Sequence, residues 1–213
     1  CPLRARVYAE GIGFLPGDIH KAVASVESAL GRLKLIASGR ETVLPGISPH
    51  TLYTVGWELL KSLGDLAARE KLPLCIHLAE SPAEMAFLRR GGGDIATRLF
   101  PAVGKDVGWF RGIGKPIPAY LEAAGVLREG LLLAHNVHLL RGEIDRLRRG
   151  GARFVLCPRS NGGHGNGIVT YVVNPNGTTD GPTLTDSVVA APYAFGFDDA
   201  GRLLVANAAS SSV

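Results

Sequence analysis

Three histidines stand where strands followed by helices would deliver chemistry. His77 closes the apolar run Leu74-Cys75-Ile76, His135 closes Leu131-Leu132-Leu133-Ala134, and His50 follows Ile47-Ser48-Pro49. In parallel α/β proteins, functional groups gather at the C-terminal ends of strands, so three strand ends that each carry an imidazole describe one rim. A single strand-end histidine is ordinarily a hydrogen-bonded residue, whereas three together are hard to explain by packing. Imidazoles converging on one rim suit a divalent metal, zinc first and iron second, which makes hydroxide available near neutral pH. Glu80 stands three residues past His77 in His77-Leu78-Ala79-Glu80. A carboxylate there could take a proton from activated water and pass it to a leaving group; its other reading is a solvated residue at a helix entry. Glu84 reads as the carboxylate of a helix N-terminus.

The elements that must position these residues come in alternation. Strand-like runs are expected at Arg6–Phe14, Thr42–Ser48, Pro73–Leu78, Leu131–His135 and Phe154–Cys157, each apolar enough to be buried on both faces. Helical periodicity falls between them, at Ile19–Leu33, Val55–Glu70, Pro82–Arg90, Pro118–Leu127 and Glu143–Arg149. Asp18 is placed to cap the first helix, and Ser81-Pro82 followed by Glu84 opens the third well. Five strands alternating with helices predict a parallel sheet, open or closed into a barrel. Cys75 and Cys157 lie inside two of the strands and read as buried reduced thiols of a reducing compartment.

Beyond Asn161-Gly162-Gly163-His164-Gly165-Asn166-Gly167 the character changes. Of the 23 Lys and Arg residues only Arg202 lies past this glycine-rich junction. Ile168–Val173, Tyr193–Phe197 and Leu203–Ala206 read as short strands joined by turns at Asn174–Gly177 and Asp198–Gly201, an antiparallel meander. Two domains are therefore expected, 1–161 and 162–213.

Four segments, taken in order, resemble the amidohydrolase superfamily, in its chlorohydrolase and aminohydrolase branch. They are Gly46-Ile47-Ser48-Pro49-His50, His77-Leu78-Ala79-Glu80-Ser81-Pro82-Ala83-Glu84, Leu133-Ala134-His135-Asn136-Val137-His138-Leu139 and Cys157-Pro158-Arg159-Ser160-Asn161. The resemblance covers about residues 1 to 161. It implies an α/β fold, part of a (β/α)8 TIM barrel of about five βα units, and a metal-dependent hydrolase that deaminates or dechlorinates a purine- or triazine-like ring. It further implies His77 and His135 as metal ligands, Glu80 as proton shuttle, His50 and Asn161 as substrate contacts, and His138 as a supporting residue. The family's His-x-His pair has no counterpart in this chain, and His20, in a helical segment, does not replace it. Thr185-Asp186-Ser187 is similar to the family's closing aspartate, which makes Asp186 the third expected ligand, although the sequence around it reads as meander. The tail has a fainter likeness, to one blade of a lactonase-type β-propeller. The reading from a different class is a non-catalytic binding or scaffold protein, built from a degenerate barrel fragment and this tail.

Composition narrows the classes further. With 46% hydrophobic and 20% charged residues the chain is ordinary for a folded domain and unlike a disordered one. The net charge of +4 is scattered over helix faces, which argues against nucleic acid as a partner. No apolar run reaches the roughly 18 residues of a membrane span. A cytoplasmic enzyme for a small molecule is expected, with homo-oligomerisation through open sheet edges. The opening Cys1-Pro2-Leu3, without an initiator Met or a leader pattern, suggests that sequence is missing upstream.

Overall fold

The computed structural model describes residues 5–40, 42–155 and 157, together with the backbone of four later strands. Contacts divide the chain into two compact units, Cys1–Leu156 and Cys157–Val213.

The first unit runs β1 (Ala5–Gly11), α1 (Ile19–Ala37), β2 (Val43–Pro49), α2 (Trp57–Arg69), β3 (Cys75–Leu78) and α3 (Pro82–Arg90). It continues through α4 (Phe100–Ala102), α5 (Ile117–Ala123), β4 (Leu132–His135), α6 (Arg141–Arg149) and β5 (Arg153–Val155). Strands β1 and β2 pair in parallel from Ala5↔Val43 to Gly11↔Pro49. Strand β3 pairs in parallel with β4, and β4 with β5. Parallel bridges at Ile47↔Leu74 and Thr51↔His77 connect the two groups, so the order across the sheet is the order along the chain. Parallel neighbours need a crossover, and a helix fills each one.

Helix α2 shows how the sequence dictates this packing. Leu59, Leu60, Leu63, Leu66 and Ala67 recur at helical spacing and all are buried, giving one apolar face for the sheet. Burial on both faces, as expected, is found in Gly46–Pro49 of β2 and Leu133–His135 of β4, but not in β1, β3 or β5. In β3, Ile76 and Leu78 are fully buried against the helices, while the alternating Cys75 and His77 are only half-buried on the other face. The period of two that sorts side chains between faces therefore turns the reactive residues towards the open side. For the same reason the expectation of a buried thiol fails at Cys75; Cys157 is half-buried too.

Helix α3 starts as its sequence indicates: the Ser81 side chain accepts the Glu84 backbone N–H at 3.2 Å and Pro82 occupies the first turn. It ends at Gly91, whose φ of 70° and whose approach to the Phe110 carbonyl leave no room for a Cβ. Asp18 behaves differently from expectation. Its own backbone is already helical, so its carboxylate turns back to the Leu15 N–H and accepts Lys105 Nζ at 2.5 Å instead of capping α1. Helix α5 starts and stops earlier than the expected 118–127, because Gly125, at φ 71°, terminates it.

In the second unit, β6 (Gly167–Val173) pairs antiparallel with β7 (Thr179–Asp186), and β8 (Pro192–Phe197) with β9 (Leu203–Asn207). Three of these strands were expected; β7, with Gly181 and Pro182 in it, was not. The expected turns at 174–177 and 198–201 lie outside the described residues.

Candidate functional site

Strands β2, β3 and β4 end together, and their histidines meet. The His50 and His77 ring centroids are 5.4 Å apart, and those of His77 and His135 are 5.5 Å apart. Each ring is held by its neighbours. His77 Nδ1 lies 3.0 Å from the His50 carbonyl oxygen. A carbonyl can only accept, so Nδ1 carries the proton and Nε2 keeps the lone pair. His50 Nδ1 lies 2.8 Å from Thr54 Oγ1, itself 2.9 Å from Thr51 Oγ1. His135 Nδ1 lies 3.4 Å from Glu80 Oε1.

The turns that carry these residues are strained. His135 and Asn136 have φ of 73° and 61°, in the left-handed region that side chains other than glycine rarely occupy. Asn136 makes that tolerable: its Nδ2 donates to the Leu133 carbonyl at 2.7 Å and its backbone N–H to Leu78 at 2.8 Å. In register His135 pairs with Leu78, a residue on the helix-facing side. The left-handed turn ends that alternation and lets the ring stand beside His77. Ala79, at φ 53°, makes the matching turn after β3 and leads into Glu80.

Glu10 completes the group. It lies on β1 opposite Ser48 of β2, and its carboxylate oxygen and one ring nitrogen each of His50 and His77 lie within 4.8 Å of one another. Burial pushes the His50 imidazole below its ordinary range; Glu10 opposes this, His77 adds to it and Glu80 opposes it. Two imidazoles and a carboxylate form a donor set that suits a zinc-type ion, and the partners on both Nδ1 atoms fix ring orientation as supporting groups of metal sites do.

Of the residues singled out from sequence, His50, His77, His135 and Glu80 are thus brought together. Asp186 ends β7, paired with Gly167, in the second unit. Asn161 lies outside the described residues. Glu10, Thr54 and Asn136 were not anticipated. Glu10 was hidden in a run read as an apolar strand, though a lone acid there is itself a signal. Thr54 and Asn136 matter only through partners that the fold supplies.

A family model described as the amidohydrolase family matches residues 12–170. The aminodeoxyfutalosine deaminase of Deinococcus radiodurans is 34% identical over 164 residues, covering 75% of this chain and 39% of that protein. The 5-methylthioadenosine/S-adenosylhomocysteine deaminase of Pelotomaculum thermopropionicum is 37% identical over 125 residues, 59% of this chain and 24% of that one. The chain therefore spans well under half the length of these relatives. Among solved structures, aminofutalosine deaminase of Helicobacter pylori superimposes with a TM-score of 0.65 at 20% identity, over 76% of this chain and 39% of that one, a likeness of fold.

Proposed function

The chain belongs to the amidohydrolase family, and on that premise we propose that it works as a metal-dependent hydrolytic deaminase of a small nucleoside-like substrate carrying a purine- or triazine-like ring. The observation that carries this reading is the Glu80 carboxylate, 3.4 Å from His135 Nδ1 on the rim shared with His50 and His77. Both sequence relatives are named as deaminases, which supports the reaction class. We read the five βα units as an arc of a (β/α)8 barrel and the later strands as a short meander, with the border near residue 161.

His77 is a metal ligand in either of two sets. One, implied by the family resemblance alone, is His77 and His135 with Asp186; the other, argued from proximity, joins His77 with Glu10 and His50. Zinc is the ion we favour, with iron second. Such an ion would supply Lewis-acid chemistry at the rim. Glu80 takes a proton from the attacking water as its oxygen bonds to the ring carbon. The carbon–nitrogen bond then breaks, and Glu80 returns the proton to the departing amino group, which leaves as ammonia. His135 orients the Glu80 carboxylate. His50, steadied by Thr54, faces the substrate, with Asn161 as a further contact. A cytoplasmic setting and self-association through the sheet edges complete the proposal.

The test is ammonia release by the zinc-loaded chain from aminodeoxyfutalosine, 5-methylthioadenosine, adenosine and an aminotriazine. Glu80→Gln should lower turnover by about 10²- to 10⁴-fold with the fold intact. Turnover unchanged in Glu80→Gln overturns the mechanism. A binding or scaffold protein is the second reading. It expects no ammonia, and substrate binding that survives His77→Ala.

A further inference from the structure

We propose that Glu84 is a positioning residue for Glu80: its buried carboxylate grips the backbone of the turn between β3 and α3 and so fixes where the Glu80 side chain begins. The inference rests on the reading of Glu80 as the proton-carrying carboxylate. Glu84 is 1% exposed. Its Oε1 accepts the Ala79 N–H at 2.8 Å and its Oε2 accepts the Glu80 N–H at 2.8 Å. Both oxygens of one carboxylate are thus committed to two consecutive amides of the same turn.

A carboxylate present only to complement the helix dipole would do so from solvent. Burying it is costly unless its oxygens are satisfied, and charge-assisted bonds to backbone amides satisfy them. Burial pushes the Glu84 carboxyl up, and the amides of Ala79 and Glu80 pull it back. The turn it holds is one the chain would otherwise avoid, since Ala79 sits at φ 53°. On the other side of that turn the Ala79 carbonyl accepts the His138 N–H at 3.0 Å, so β3 and β4 are tied together directly behind the rim. Losing the grip of Glu84 frees the peptide that leads into Glu80, and displacement of a reacting group by about 1 Å is enough to cost about 100-fold in rate.

The experiment uses the full zinc-loaded chain and whichever of the four substrates it turns over. Glu84→Gln keeps the shape and one acceptor oxygen, Glu84→Ala removes both, and Glu80→Gln is the reference. We expect kcat to fall about 10-fold in Glu84→Gln and about 100-fold in Glu84→Ala, with KM within about twofold of wild type. Hydrogen exchange of the Ala79 and Glu80 amides, followed by NMR, should accelerate in both Glu84 variants. A lower Tm with unchanged kcat per folded molecule assigns Glu84 a structural role alone and overturns the proposal. If Glu80→Gln itself leaves turnover intact, the failure belongs to the proposed function. The grip is then judged by exchange, and equal rates at Ala79 and Glu80 in wild type and Glu84→Gln overturn it.

Discussion

Thr54 decides how the His50 ring stands. The 2.8 Å contact between its hydroxyl and His50 Nδ1 selects a ring orientation, and the Thr51 hydroxyl supports it in turn. Thr54→Val keeps the branched shape and removes the partner. Supporting residues of metal ligands are worth about 10- to 100-fold in affinity, so zinc titration of Thr54→Val should show a loss of that order if His50 is a ligand, without a change in fold. Tyr120, on α5, carries a separate prediction. Burial, reinforced by Glu58, pushes its phenol up to about 12. The unfolded phenol ionises near pH 10, so between pH 10 and 12 the unfolded state binds fewer protons and stability falls as pH rises. Urea unfolding at pH 9 and pH 12 should show wild type losing about 2 to 3 kcal/mol more than Tyr120→Phe.

At the scale of elements, what was legible in the sequence was what depends on local pattern. The runs ending in His77 and His135 became β3 and β4, the Val55–Glu70 periodicity became α2, and Ser81-Pro82 became the start of α3. What was hidden depends on partners distant in sequence or on broken rules. Strand β7 holds Gly181 and Pro182, two residues that argue against a strand until its partner β6 is known. Glu10 counts only once β1 lies beside β2. Asp18 looked like a cap because its residue type fits, but Lys105, which claims it, lies 87 residues away in sequence. Helix ends offer a direct comparison between two glycines. Gly39 and Gly91 both have left-handed φ, 75° and 70°, but a Cβ at Gly39 meets nothing while one at Gly91 would collide with the Phe110 carbonyl oxygen. Alanine at Gly39 should cost about 1 to 2 kcal/mol from backbone strain alone. Alanine at Gly91 should cost clearly more, and urea denaturation of the two variants separates strain from clash.

For the molecule as a whole, a bound ion would act as part of the folded structure. Zinc that binds the native chain and not the unfolded one adds about 2.7 kcal/mol at a concentration 100-fold above Kd. For a chain of this size that corresponds to a Tm increase of about 5 to 10 °C. Thermal denaturation of the dialysed protein with and without zinc should show this increase, and His77→Ala should abolish it, since His77 belongs to both ligand sets. An equal increase in wild type and His77→Ala would mean that the ion binds elsewhere. No helix among the described residues is long and apolar enough to cross a membrane.

The order of strands in the first unit has a bearing on how the chain comes to be folded at all. Because β1 lies beside β2, β2 beside β3 and so on to β5, every paired neighbour is also the next strand in sequence, roughly 20 to 60 residues further along. A doubly wound sheet must wait for a late strand before its central pairs can close. Here each of β2 to β5, as it leaves the ribosome, finds one of its neighbours already made. Loop closure is therefore taken in short instalments, and growth of the sheet can keep pace with synthesis from the N-terminal end. The rim assembles in the same sequence: His50 arrives first, His77 is placed against its carbonyl, and His135 last, once Leu78 is there to receive the amide of Asn136.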